Sequence, residues 1–167
     1  MKKNTIMNTI ITVTTIMSMY MNLTTDVENN KHCYNAEIEN GRINAIEVYD
    51  KKGEYITASL KRLYTYDEEN RLVMRETLKW NKETMSWEKH SCLCYNYNPE
   101  GYTIEKRFWN ETKHDYAEAK EYSHYMVLMD NVLAVNSYKL DENSGEFALA
   151  DNMLVMTSDT NKLLVED

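Results

Sequence analysis

Glycine and proline are nearly missing from this chain, which holds 4 glycines and 1 proline among 167 residues. That scarcity excludes collagen-like and linker-rich organisation, and it hands most reversals to Asn and Asp, which tolerate the left-handed region and hydrogen-bond their own backbone. No Pro/Gly/Ser-rich stretch divides the chain, so a single domain with its own core is expected. Positive charge is also short. A net charge of −8 leaves no basic stripe for nucleic acid and disfavours anionic membrane surfaces.

Chemistry-bearing patterns are sparse as well. There is no G-x-S-x-G, no phosphate-binding glycine loop and no Cys/His nucleophile context. His32, His90, His114 and His124 show no ligand-pair spacing, and the cysteines Cys33, Cys92 and Cys94 form neither C-x-x-C nor a Cys/His zinc pattern. On a strand, Cys92 and Cys94 would share a face about 7 Å apart, too far for an ordinary disulfide. Cys33 could pair with one of them, but three small buried thiols carry more weight. Asp141-Glu142-Asn143-Ser144-Gly145-Glu146 looks in part like a calcium loop, yet it lacks the distal bidentate Glu and reads better as an acidic hairpin turn. No catalytic residue, metal ligand or cofactor is therefore assigned.

What the chain does have is a repeat. Tyr64-Thr65-Tyr66-Asp67, Asn70-Arg71-Leu72, Trp80-Asn81 and Trp87 return about thirty residues later as Tyr95-Asn96-Tyr97-Asn98, Gly101-Tyr102-Thr103, Trp109-Asn110 and Tyr116. Fainter copies flank these, at Gly41-Arg42-Ile43 with Tyr49-Asp50 and at Asn131-Val132-Leu133 with Leu140-Asp141 and Phe147. Each unit reads as strand, turn, strand, turn. The expected fold is all-β: an antiparallel meander of about four hairpin units of roughly thirty residues in a twisted or curled sheet. Hairpins should centre on 81–86, 98–101 and 110–115. Leu72, Met74, Leu78 and Trp80 share one parity and should share a face. Leu72 to Trp80 spans eight residues but Tyr102 to Trp109 only seven, so a bulge or an early strand end is expected near Trp109. By that register Trp80 should be buried and Trp109 more exposed. Ala117–Tyr122 favours helix by propensity, but its place in the repeat favours strand.

Met1-Lys2-Lys3-Asn4 followed by an uncharged run to Leu23 has the layout of a secretory signal. Residues 1–25 are expected to be an export signal, with a retained strand or helix as the other reading, and 26–167 a single β-repeat domain. The location is then periplasmic, cell-surface or secreted, with no membrane span remaining after processing.

The Tyr66-Asp67-x-x-Asn70-Arg71-Leu72 and Tyr97-Asn98-x-x-Gly101-Tyr102-Thr103 segments resemble the core of tyrosine-aspartate (Rhs-type) repeats. With the leader, the chain is similar to small exported β-repeat proteins of unknown function from gut-dwelling Gram-negative bacteria. That resemblance implies an envelope location and no activity. The leading expectation is a non-enzymatic protein that binds a partner protein or glycan through Trp109, Tyr116, Trp87 and Tyr97 on a sheet face. The alternative is a small exported hydrolase, or hydrolase accessory domain, with carboxylates converging in three dimensions. Oligomeric state is not legible.

Overall fold

The computed structural model describes residues 10–25, 30–129 and 132–156. A short helix α1 (Val13–Thr24) precedes ten strands: β1 (His32–Glu39), β2 (Arg42–Lys52), β3 (Tyr55–Tyr66), β4 (Leu72–Asn81), β5 (Ser86–Asn98), β6 (Gly101–Asn110), β7 (Asp115–Tyr116), β8 (Glu121–Met129), β9 (Val132–Leu140) and β10 (Phe147–Met156). They form one antiparallel meander in sequence order, with β7 paired to the outer end of β6 and β8 to its inner part. β1 and β10 end the path, so the sheet is open. Residues 117–120, where helix and strand propensities compete, carry the chain from β7 to β8 outside either element.

The turns fall where the Asn and Asp residues put them. Asn81 pairs with Ser86, Asn98 with Gly101, and Asn110 with Asp115, closing the three expected hairpins. In each, the Asn side-chain oxygen accepts backbone N–H groups of the turn: Glu83 at 2.8 Å, Gly101 at 2.9 Å and Lys113 at 3.0 Å. Asp141 accepts from Asn143 N–H at 2.9 Å in the β9–β10 turn, so the acidic segment is a hairpin. Asn40 and Gly41 both have positive φ, as a two-residue turn between β1 and β2 requires.

One face of the sheet is covered. Ile11, Ile16 and Met19 pack with Ile43, Ile46, Val48, Tyr64, Leu72, Tyr95 and Tyr102 in the core. The approach to α1 is tied to the sheet by backbone: Leu72 N–H donates to Ile11 O at 2.7 Å and Val13 N–H to Asn70 O at 3.1 Å. The leader-like segment is thus packed against the sheet, and burying an apolar face against a second layer is what a sheet of this kind needs. No described helix is long and apolar enough to cross a membrane.

The repeat now has a physical content. Ile43, Leu72 and Tyr102, each just after a turn, are buried to within 2 %. Tyr66 donates its hydroxyl to Ile43 O at 2.9 Å and Tyr97 donates to Leu72 O at 2.7 Å, so the second Tyr of each Tyr-x-Tyr pair ties back to the post-turn residue of the unit before. Gly101 sits where β6 meets β8 so closely that a Cβ would lie 1.9 Å from Tyr125 O.

The facing expected for β4 needs correction. Thr65 pairs with Met74 and Tyr66 with Leu72, so Val73 is an extra residue that turns Leu72 to the covered face while Met74, Leu78 and Trp80 keep the other. β6 has no register shift against β5. The eight-residue spacing therefore contains the bulge, and the seven-residue spacing is the regular one. Both tryptophans end up on the open face and both are half-buried.

Candidate functional site

The open face carries aromatic pairs placed by cross-strand register. Trp80 stands opposite Trp87, ring centroids 5.0 Å apart at 69°, and Trp109 opposite Tyr116, 5.2 Å apart at 75°. Edge-to-face pairs of this kind suit the ring quadrupole and hold each indole by its neighbour. Further along, Tyr122 stacks on Tyr138 at 4.8 Å and meets Phe147 edge-on at 5.0 Å.

Between the tryptophan pairs lies a charged cluster. Lys89 Nζ sits 4.8 Å from the Trp109 ring centroid and 5.5 Å from that of Tyr116, within cation–π range. The same ammonium is 3.2 Å from Glu76 Oε1, which also accepts the Tyr116 hydroxyl at 2.9 Å. Burial, reinforced by that hydrogen bond to a carboxylate, pushes the Tyr116 phenol well above its ordinary range. Glu76 thus couples β4 to β7 across β5 and β6.

Cys92 lies opposite Glu76 and Arg107, and Cys94 opposite Met74 and Glu105. The two sulfurs are 3.9 Å apart, and all three cysteines are free thiols. A hydrogen bond from Cys92, aided by the Arg107 guanidinium, pulls Cys94 down to about 7, while Cys92 is pushed up by the same interaction and by burial. Arg107 itself is held by Glu105 at 2.7 Å.

Trp87, Trp109 and Tyr116 therefore share one face, and Tyr97 does not join them. Its side chain is on the covered face, donating to Ile11 O and Leu72 O, with Arg71 5.4 Å from its ring centroid. Sequence reading missed Glu76, Lys89, Tyr122 and Tyr138. Only their register positions mark them, and register is fixed by bulges that parity alone does not locate: His90 is the extra residue of β5, between the partners of Thr77 and Leu78.

The histidines stay apart. His32 Nδ1 contacts Asp50 at 3.0 Å, His90 meets the Phe108 ring edge-on at 5.9 Å, His124 Nδ1 shares a proton with the Thr103 hydroxyl at 2.8 Å, and His114 sits in the β6–β7 turn. Among the described residues, no three His, Cys, Asp or Glu side chains converge. A shallow depression of about 290 Å³ beside Trp80 is lined by Asp50, Lys52, Thr57, Lys79 and Lys82, a polar rim without a pair of carboxylates.

Comparison with known proteins places this architecture. Residues 1–130 match the model of a family of unknown function, DUF3836. A solved DUF3836 family protein from Bacteroides vulgatus is 32 % identical over 52 % of this chain and 89 % of that one, with a TM-score of 0.50. A protein with unknown function from Bacteroides fragilis is 19 % identical, covering 78 % of this chain and 94 % of that one, with a TM-score of 0.64, and shares the fold. No curated protein matches. The matches support a family from gut Bacteroidales; the likeness to tyrosine-aspartate repeats rests on the short motif alone.

Proposed function

We propose that this chain, which belongs to the DUF3836 family of unknown function, is an exported, non-enzymatic β-repeat protein that binds a glycan through the open face of its sheet. The observation that carries the reading is the pair of half-buried aromatic rungs, Trp80 with Trp87 and Trp109 with Tyr116, set on one face with Lys89 and Glu76 between them. Rings supply flat apolar area for a sugar ring, and the neighbouring ammonium, carboxylate and phenol supply hydrogen bonds to its hydroxyls. Affinity electrophoresis of the purified chain in gels containing different polysaccharides tests it. Retardation lost in Trp87→Ala and Trp109→Ala, with both variants still melting cooperatively, supports it; retardation unchanged in both sinks it.

A partner protein is the second reading, favoured by β10. Among the described residues, this last strand leaves Leu149, Met153, Leu154 and Met156 exposed and has no strand paired to its outer edge. Charge substitutions there, such as Leu154→Lys, should abolish a protein contact and leave glycan binding intact. Glu37 and Glu47 come together as partners of Lys61 Nζ, at 2.6 and 3.1 Å, an ion-paired arrangement that does not favour the hydrolase alternative.

Export rests on the basic start and uncharged run of residues 1–25. Removal of that segment would take Ile11, Ile16 and Met19 from the core, so a processed chain would carry its covered face open. N-terminal sequencing of the protein from envelope and cytoplasmic fractions of its host decides: an intact Met1 in the cytoplasm ends the export reading.

A further inference from the structure

The register brings three sulfur-bearing side chains to neighbouring positions on the open face, beside the charged cluster. Cys92 and Cys94 project from the same side of β5 with their sulfurs 3.9 Å apart, and Met74 of β4 is the cross-strand partner directly opposite Cys94, on the same side. Directly opposite residues of an antiparallel pair have Cβ atoms about 5 Å apart, within reach of a thioether. We propose that Cys92, Cys94 and Met74 form a binding site for a soft, thiophilic monovalent cation of the Cu(I) type.

The geometry selects the metal. With metal–sulfur bonds of about 2.3 Å, a sulfur separation of 3.9 Å subtends an angle of about 115° at the metal. That suits three ligands in a plane better than two in line. Thiolate and thioether sulfurs together favour Cu(I) over hard cations, and among the described residues no group of three His, Cys, Asp or Glu is arranged to hold a metal ion: Glu76 and Glu105, opposite the two thiols, are engaged by Lys89 with Tyr116 and by Arg107. Two thiolates and one Cu(I) leave a charge of −1 beside Arg107, which stands opposite Cys92 in register and shares its own charge with Glu105 at 2.7 Å.

Strand geometry also keeps the pair available. A disulfide needs sulfurs about 2.05 Å apart, and alternate residues of a strand held by ladders on both sides cannot close that gap without distorting the pairing. Cys94 is half-buried and gives access, while Cys92 is buried and fixes one ligand in place. On binding, two metal–thiolate bonds form, two thiol protons pass to solvent, and copper stays Cu(I) throughout.

The test is an anaerobic titration of the full reduced chain with Cu(I), in competition with bathocuproine disulfonate. One equivalent should be withdrawn from the chelator, with thiolate-to-copper absorption in the ultraviolet that saturates at the same ratio. Cys94→Ser should weaken binding at least about a hundredfold and Met74→Leu about tenfold, while Cys33→Ser leaves it unchanged. Met74→Leu conserves volume, so the test survives even if Cys94→Ser does not fold. Failure of the wild-type chain to compete, wild-type affinity in Met74→Leu, or dependence on Cys33 would each overturn the proposal. None of these outcomes bears on glycan retardation, so the two readings stand or fall separately.

Discussion

Alternate residues of the same strands build two faces that hold their aromatic rings by different means. On the covered face, Tyr64, Tyr95 and Tyr102 are buried in the core that Ile11, Ile16 and Met19 join, and Tyr66 and Tyr97 are anchored by hydroxyls donated to backbone carbonyls of the neighbouring unit. On the open face, Trp80, Trp87, Trp109 and Tyr116 hold one another edge-on, with Lys89 and Glu76 as their polar neighbours. Rings locked to backbone are spent on folding, whereas rings held by each other keep area for a ligand. The difference comes from layer architecture: a helix closes one side, and nothing in the described chain closes the other.

Leu72→Ala should break the covered face hardest. Leu72 is fully buried and its carbonyl receives the Tyr97 hydroxyl, so a loss of about 3–4 kcal/mol is expected in chemical denaturation. Gly101→Ala comes next, because its Cβ would meet Tyr125 O at 1.9 Å and force β6 from β8; about 3 kcal/mol is expected. A melt unchanged by this substitution would show that β6 and β8 can separate at this point without loss.

On the open face, Trp80→Ala and Trp109→Ala should each cost about 2 kcal/mol, less than a fully buried indole, and should agree within about 1 kcal/mol. Equal cost is expected from the bulge at Val73, which makes the two positions equivalent. A large difference between the variants would restore the distinction that parity predicts. Tyr97→Phe should cost about 1–2 kcal/mol, by leaving buried carbonyls short of a donor, and should leave glycan retardation as it was.

Much of the fold was legible because turns are local. Asn81, Asn98 and Asn110 mark their hairpins by chemistry that acts over two or three residues, and the alternation between them gives strand direction. Facing was not legible wherever a bulge intervenes. Val73 and His90 have no residue-type signature, and each reverses the parity of the residues after it, which is why Leu72 and Tyr97 changed sides relative to the tryptophans. Of the candidate surface residues, Trp87, Trp109 and Tyr116 were visible as repeated aromatics. Glu76 and Lys89 were not, because unlike charges on neighbouring strands are recognisable as partners only after the register is known.

The smallest expected effect compares turns rather than faces. The β4–β5, β6–β7 and β9–β10 hairpins all place the fourth residue after their turn-opening Asn81, Asn110 or Asp141 in the left-handed region: Met85 at φ 53°, His114 at φ 50° and Gly145 at φ 72°. Only the last carries the residue that adopts this conformation without a Cβ clash. Gly145 has nothing within 4 Å of a built Cβ, so Gly145→Ala isolates the backbone term and should cost about 1 kcal/mol. Met85 is exposed, so Met85→Gly removes little packing and should gain up to about 1 kcal/mol, offset in part by the freedom glycine adds to the unfolded chain. Thermal melts of the two variants should therefore move in opposite directions. If both fall, the Met85 side chain contributes contacts on the open face that outweigh its backbone strain, and the aromatic rungs extend one residue further than the Trp80–Trp87 pair.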